Sequence, residues 1–81
     1  MVIIRPSENF EKIYKKLDKS YKTRVEKLIE KIVNNPEIGK PMKNTRKGTR
    51  EVYLNPFRLS YSYSQEENKL TLLDLYHKDE Q

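Results

Sequence analysis

Eighty-one residues, 35% of them hydrophobic and 36% charged, make room for one domain spanning residues 1–81 with a small core. With no Cys and a single His, the chain is not a disulfide scaffold, carries no thiol nucleophile and has no ligand set for a structural zinc. The net charge of +5 is unevenly spread: residues 41–64 hold five basic side chains (Lys43, Arg46, Lys47, Arg50 and Arg58) against Glu51 alone, and residues 65–81 hold two basic against five acidic. Such a basic segment suits a polyanion, nucleic acid first, and is equally compatible with ordinary solubility charge. The longest unbroken apolar run is Met1 to Ile4, so the expectation is a cytosolic chain with no membrane partner.

Val2, Ile3 and Ile4 predict a short buried strand that Pro6 ends. Ser7 is a plausible N-cap, with Glu8 placed where the helix dipole favours an acid. Phe10, Ile13, Tyr14 and Leu17 then recur at helical spacing, and either Asp18 or Ser20 suits the cap of a second helix. Tyr21, Val25, Leu28, Ile29, Ile32 and Val33 carry the same period until Asn35-Pro36 stops it. Residues 36–48 form a polar connection. After it the period becomes two: Val52 and Leu54 alternate with Glu51 and Tyr53, and beyond the Asn55-Pro56 turn Phe57, Leu59, Tyr61 and Tyr63 alternate with Arg58, Ser60 and Ser62. Residues 69–76 predict a central strand with Leu70 and Leu72 on one face and Leu73 and Leu75 on the other. The expected fold is α+β, in the order β-α-α-β-β-β, with a helical hairpin packed on a small, largely antiparallel sheet.

The alternation in residues 57–63 leaves Arg58 on the polar face of the strand. An Arg there is a good phosphate clamp, because its planar fork matches phosphate oxygens and keeps its charge; the alternative is a surface pair with Glu51 or Asp74. His77 is the one side chain with an ordinary pKa near neutrality, which fits acid–base work or a surface His in a charged tail. No phosphate-binding Gly loop, Ser-His-Asp ordering or metal cluster is present.

Taken together, these segments resemble the RelE/ParE superfamily of toxins from toxin–antitoxin pairs. The resemblance rests on the helical hairpin running into Asn35-Pro36-Glu37-Ile38-Gly39-Lys40-Pro41-Met42-Lys43 and on Lys47-Gly48-Thr49-Arg50. It rests further on Phe57-Arg58-Leu59-Ser60-Tyr61 and on Leu72-Leu73-Asp74-Leu75 leading into Tyr76-His77-Lys78-Asp79-Glu80. It implies the same β-α-α-β-β-β fold and, for RelE-like members, a ribosome-dependent messenger-RNA endonuclease without metal or other cofactor. Its partners would be a cognate antitoxin, in a hetero-oligomer, and messenger RNA on the ribosome. Arg58 looks like the family's strand-borne catalytic Arg, and Arg50 is similar to a frequent basic position on the preceding strand. His77 resembles the terminal His of the YoeB-like branch, and Lys78 falls where other branches place a basic residue or Tyr. Lys43, Arg46 and Lys47 would bind the RNA backbone. Two departures stand out: no Tyr follows His77, and Tyr53 occupies a position that is basic in several relatives. ParE-like relatives share the fold and poison DNA gyrase, which makes a gyrase-directed toxin, or a degenerate binding module, the alternative.

Overall fold

The computed structural model describes residues 2–41 and 48–77. Strand β1 (Ile3–Pro6) leads into α1 (Glu8–Lys16) and α2 (Lys19–Asn34). The strands β2 (Lys40–Pro41), β3 (Thr49–Leu54), β4 (Phe57–Ser64) and β5 (Lys69–His77) follow. They form one five-stranded sheet in the order β1-β5-β4-β3-β2, parallel only between β1 and β5. The two helices pack on one face of the sheet, as the change of period from 3.6 to two predicts.

The helix starts are set by side chains. Ser7 Oγ accepts from Phe10 N at 3.1 Å, and Asp18 Oδ1 accepts from Tyr21 N at 2.9 Å, so Asp18 rather than Ser20 is the second cap. Ser7 also ties the hairpin to the sheet, since its Oγ donates to Leu73 O at 2.7 Å and its N to Leu72 O at 2.8 Å. The second helix ends at Asn34, just ahead of Asn35-Pro36. The core joins Phe10 of α1 and Val25 and Ile32 of α2 to Leu59 and Tyr61 of β4 and to Leu70, Leu72 and Leu75 of β5.

Three features depart from the sequence-based expectation. First, β1 is exposed along its length, with Ile3 53% and Ile4 41% accessible, because it pairs only with β5 and forms an edge of the sheet. Second, β5 carries a bulge. Ser60 pairs with Asp74 and Tyr61 with Leu72, which leaves Leu73 without a partner in the β4 register. The extra residue shifts the side-chain phase by one, so Leu75 joins Leu70 and Leu72 on the helix face instead of opposing them. Ser7 takes the Leu73 carbonyl that the bulge releases.

Third, the connection 36–48 contains the two-residue strand β2. Tyr61 draws it in: the Tyr61 hydroxyl donates to Pro36 O at 2.7 Å and accepts from Gly39 N at 2.9 Å. Burial pushes the Tyr61 phenol above its usual pKa, which keeps it a neutral donor. Gly39 permits the approach, because a Cβ there would lie 2.7 Å from the Tyr61 hydroxyl and 2.8 Å from its ring. Gly39→Ala is therefore expected to destabilise the fold by about 1–3 kcal/mol, as overpacking does. Urea unfolding followed by circular dichroism checks this, and an unchanged midpoint would mean that the connection is not pinned to Tyr61.

Candidate functional site

Cross-strand register builds the polar face of the sheet in two rows. Tyr53, Arg58 and Tyr76 lie opposite one another across β3, β4 and β5, and Glu51, Ser60 and Asp74 form the next row. Arg58 is thus flanked by two tyrosines and diagonal to an acid. Its Nη2 donates to the Tyr53 hydroxyl at 2.7 Å, and its guanidinium carbon lies 4.8 Å from the Tyr53 ring centroid. Its Nη1 donates to Glu51 Oε1 at 3.4 Å, a long contact for an ion pair whose side chains are 20% and 10% exposed. The other Glu51 oxygen, Oε2, accepts from the Tyr76 hydroxyl. Arg58 Nε is buried without a hydrogen-bond partner. The guanidinium is therefore held in place without its donors being used up, and the Glu51 pairing raised by the sequence is the one formed.

The other sequence candidates lie elsewhere. Arg50 stands opposite Tyr61 on the helix side, and its Nη1 donates to Glu37 O at 3.0 Å and Gly39 O at 2.8 Å, bracing the connection before β2. His77 stands opposite Phe57, and its ring meets the Phe57 ring edge-on at 5.8 Å and 77°. Phe57 in turn packs edge-on against Tyr21 of α2 at 5.3 Å. His77 and Arg58 are thus on opposite faces of the sheet. The β5 bulge causes this: the register of Leu70 and Leu72, continued without it, would have set Leu75 opposite Arg58 with His77 on the same face, and the phase shift instead sets Tyr76 opposite Arg58 and turns His77 to the other face. Lys43, Arg46, Lys47 and Lys78 lie outside the described residues. Among the described residues, no group of three His, Cys, Asp or Glu side chains is placed to hold a metal ion.

Beside Arg58 a cleft of ≈ 750 Å³ opens around the edge of β3. Its walls include Leu28 and Lys31 of α2, Ile38, Lys40 and Pro41, and Glu51, Val52, Tyr53 and Arg58 of the sheet. Sequence reasoning missed Tyr53 and Tyr76 as partners of Arg58, and Lys31 and Lys40 as cations across the cleft. The alternation of Glu51 with Tyr53 was the available signal for the first of these. The role of Tyr76 depends on the bulge.

The chain is similar in fold to a chain of the intact Escherichia coli RelBE toxin–antitoxin complex, with TM-score 0.82 and 15% identity over 95% of this chain and 96% of that one. It is likewise similar to a chain of the RelBE2 toxin–antitoxin complex of Mycobacterium tuberculosis, with TM-score 0.82, 22% identity and coverage of 95% and 98%. YafQ of E. coli aligns with TM-score 0.76, 20% identity and coverage of 99% and 97%. No curated protein sequence matches the chain. The profile of the family described as "ParE-like toxin of type II bacterial toxin-antitoxin system" matches residues 4–80, nearly the whole length, and the chain therefore belongs to that family, within the RelE/ParE superfamily of toxins.

Proposed function

We propose that this toxin is a metal-independent endoribonuclease that cuts messenger RNA on the ribosome from the polar face of its sheet. The observation that carries the reading is Arg58: a guanidinium on a rigid strand, fixed by Tyr53 and Glu51 at the mouth of a cleft that also presents Lys31 and Lys40. In the reaction the 2′-oxygen attacks the adjacent phosphorus, and the bond from phosphorus to the 5′-oxygen breaks. The products are a 2′,3′-cyclic phosphate and a 5′-hydroxyl. Arg58 meets the charge that builds on the phosphoryl oxygens. Glu51 takes the 2′-hydroxyl proton, and the Tyr76 phenol, hydrogen-bonded to Glu51, gives a proton to the departing oxygen. Lys43, Arg46 and Lys47 remain proposed backbone contacts. A cognate antitoxin, acidic to match the +5 chain, would inhibit by covering Arg58.

His77 is the competing acid–base assignment. Because its ring is packed on Phe57 away from Arg58, His77→Ala is expected to slow cleavage without changing the shape of the pH–rate profile. Loss of one limb in that variant would return proton transfer to His77.

The Glu51 contact favours a second reading, because it places an acid where a phosphate would bind. Under that reading the chain is a protein-binding toxin, directed at gyrase or catalytically silent. Primer extension on translated messages after induction, with plasmid supercoiling measured in parallel, separates the two. Message cuts with normal supercoiling support the nuclease, and altered supercoiling with intact messages overturns it.

A further inference from the structure

We infer that Tyr53 is a base-stacking platform, and that a single strand of RNA crosses the edge of β3 with one base on Tyr53 and its phosphates between Lys31 and Lys40. The inference rests on the RNA reading above and assigns the strand's path. Four observations carry it. Tyr53 is 64% exposed, the highest value among the exposed large hydrophobic residues described. Yet it is not loose, because its hydroxyl is fixed by Arg58 Nη2 at 2.7 Å and the guanidinium lies against its ring. An aromatic ring that is both exposed and immobilised presents a π-face at little entropic cost.

The cleft beside it is also open and asymmetric in charge. Lys31, Lys40 and Arg58 stand against Glu51, whose two carboxylate oxygens are already engaged by Arg58 and Tyr76. Finally, β2 is only two residues long and pairs with Arg50 and Glu51, so among the described residues no strand continues alongside Val52, Tyr53 and Leu54 on that side. The base of the cleft is thus a sheet edge with an apolar lip, Ile38, which is 48% exposed. A cationic groove beside an aromatic face is the arrangement that holds single-stranded nucleic acid without reading its sequence.

The test measures binding apart from cleavage. The probe is a 2′-O-methyl hexanucleotide, which has no attacking hydroxyl, with one 2-aminopurine base whose fluorescence falls on stacking. With the whole chain the probe should bind and lose fluorescence. Tyr53→Phe should keep the quenching. Tyr53→Leu should lose it and bind about tenfold or more weakly, the usual effect of one lost base–aromatic stack. The double variant Lys31→Gln/Lys40→Gln should keep the quenching and lower the slope of log affinity against log salt by about 0.7 per lysine. If Tyr53→Leu binds and quenches as the parent does, the platform is overturned while the RNA reading stands. If the parent binds no oligonucleotide at low salt, the platform and the strand's path are overturned, and the ribosome-dependent reading is decided separately by primer extension on translated messages.

Discussion

Replacing Arg58 with Ala is expected to slow message cleavage by about 10²–10³-fold and to leave the fold intact. The rate effect follows from removing the fixed cation that faces the phosphoryl oxygens in the transition state. The fold should tolerate the change because Arg58 lies outside the hydrophobic core, and its contacts are one long ion pair with Glu51 and, with Tyr53, a hydrogen bond and a guanidinium–ring contact. Glu51 keeps its hydrogen bond from Tyr76 when the guanidinium is gone but loses its counter-charge in a largely buried setting, so the stability cost should be about 1–3 kcal/mol. Arg58→Lys should recover part of the rate, since it restores a charge without the fork that meets two phosphate oxygens. Cleavage rates for a translated message and urea midpoints, measured on the same preparations, check both halves. Full activity in Arg58→Ala would remove the polar face from the mechanism.

Glu51→Gln should split binding from catalysis. The carboxylate repels RNA, so its removal is expected to tighten RNA binding severalfold, as loss of a like charge from a phosphate site does. If Glu51 is the base for the 2′-hydroxyl, the same substitution should slow the chemical step by about 10²-fold. The signature is a lower KM together with a lower kcat, a combination that a merely structural role does not produce. Glutamine keeps the size of the side chain and can still accept from Tyr76, so a folding defect is not expected. A variant that binds more tightly and cleaves faster would recast Glu51 as a brake on Arg58 rather than a base.

Helix starts and stops were legible because single side chains determine them: Ser7 and Asp18 accept the first amide donors, and Pro36 forbids continuation. The polar face of β4 was legible because alternation over 57–63 is strict and nothing disturbs it before Ser60. What could not be read was β5. Its bulge falls at Leu72-Leu73, where the alternation slips by one residue; the same pattern reads as a strand with Leu on both faces, and the phase shift is fixed by pairing with β4 and by Ser7, 66 positions earlier in the chain. That one extra residue sets Tyr76 opposite Arg58 and turns His77 to the other face, so the sequence showed which face Arg58 is on but not which side chains flank it. The strand β2 was hidden for a similar reason. It depends on a hydroxyl from Tyr61 reaching Gly39, a contact between residues 22 positions apart.

The central claim is that Arg58 serves attack by a 2′-hydroxyl on messenger RNA, and the most direct measurement removes that hydroxyl. A translated message is first mapped for its cut site, and a second copy is made with a single 2′-deoxynucleotide on the 5′ side of that site. Both are presented to translating ribosomes with the chain in the presence of EDTA-treated buffer components and only the magnesium that translation needs. The account predicts cleavage of the first message, with a 2′,3′-cyclic phosphate at the upstream end, and no cleavage at the substituted site in the second. Equal cleavage of both messages, or none of either while gyrase activity falls, would contradict it.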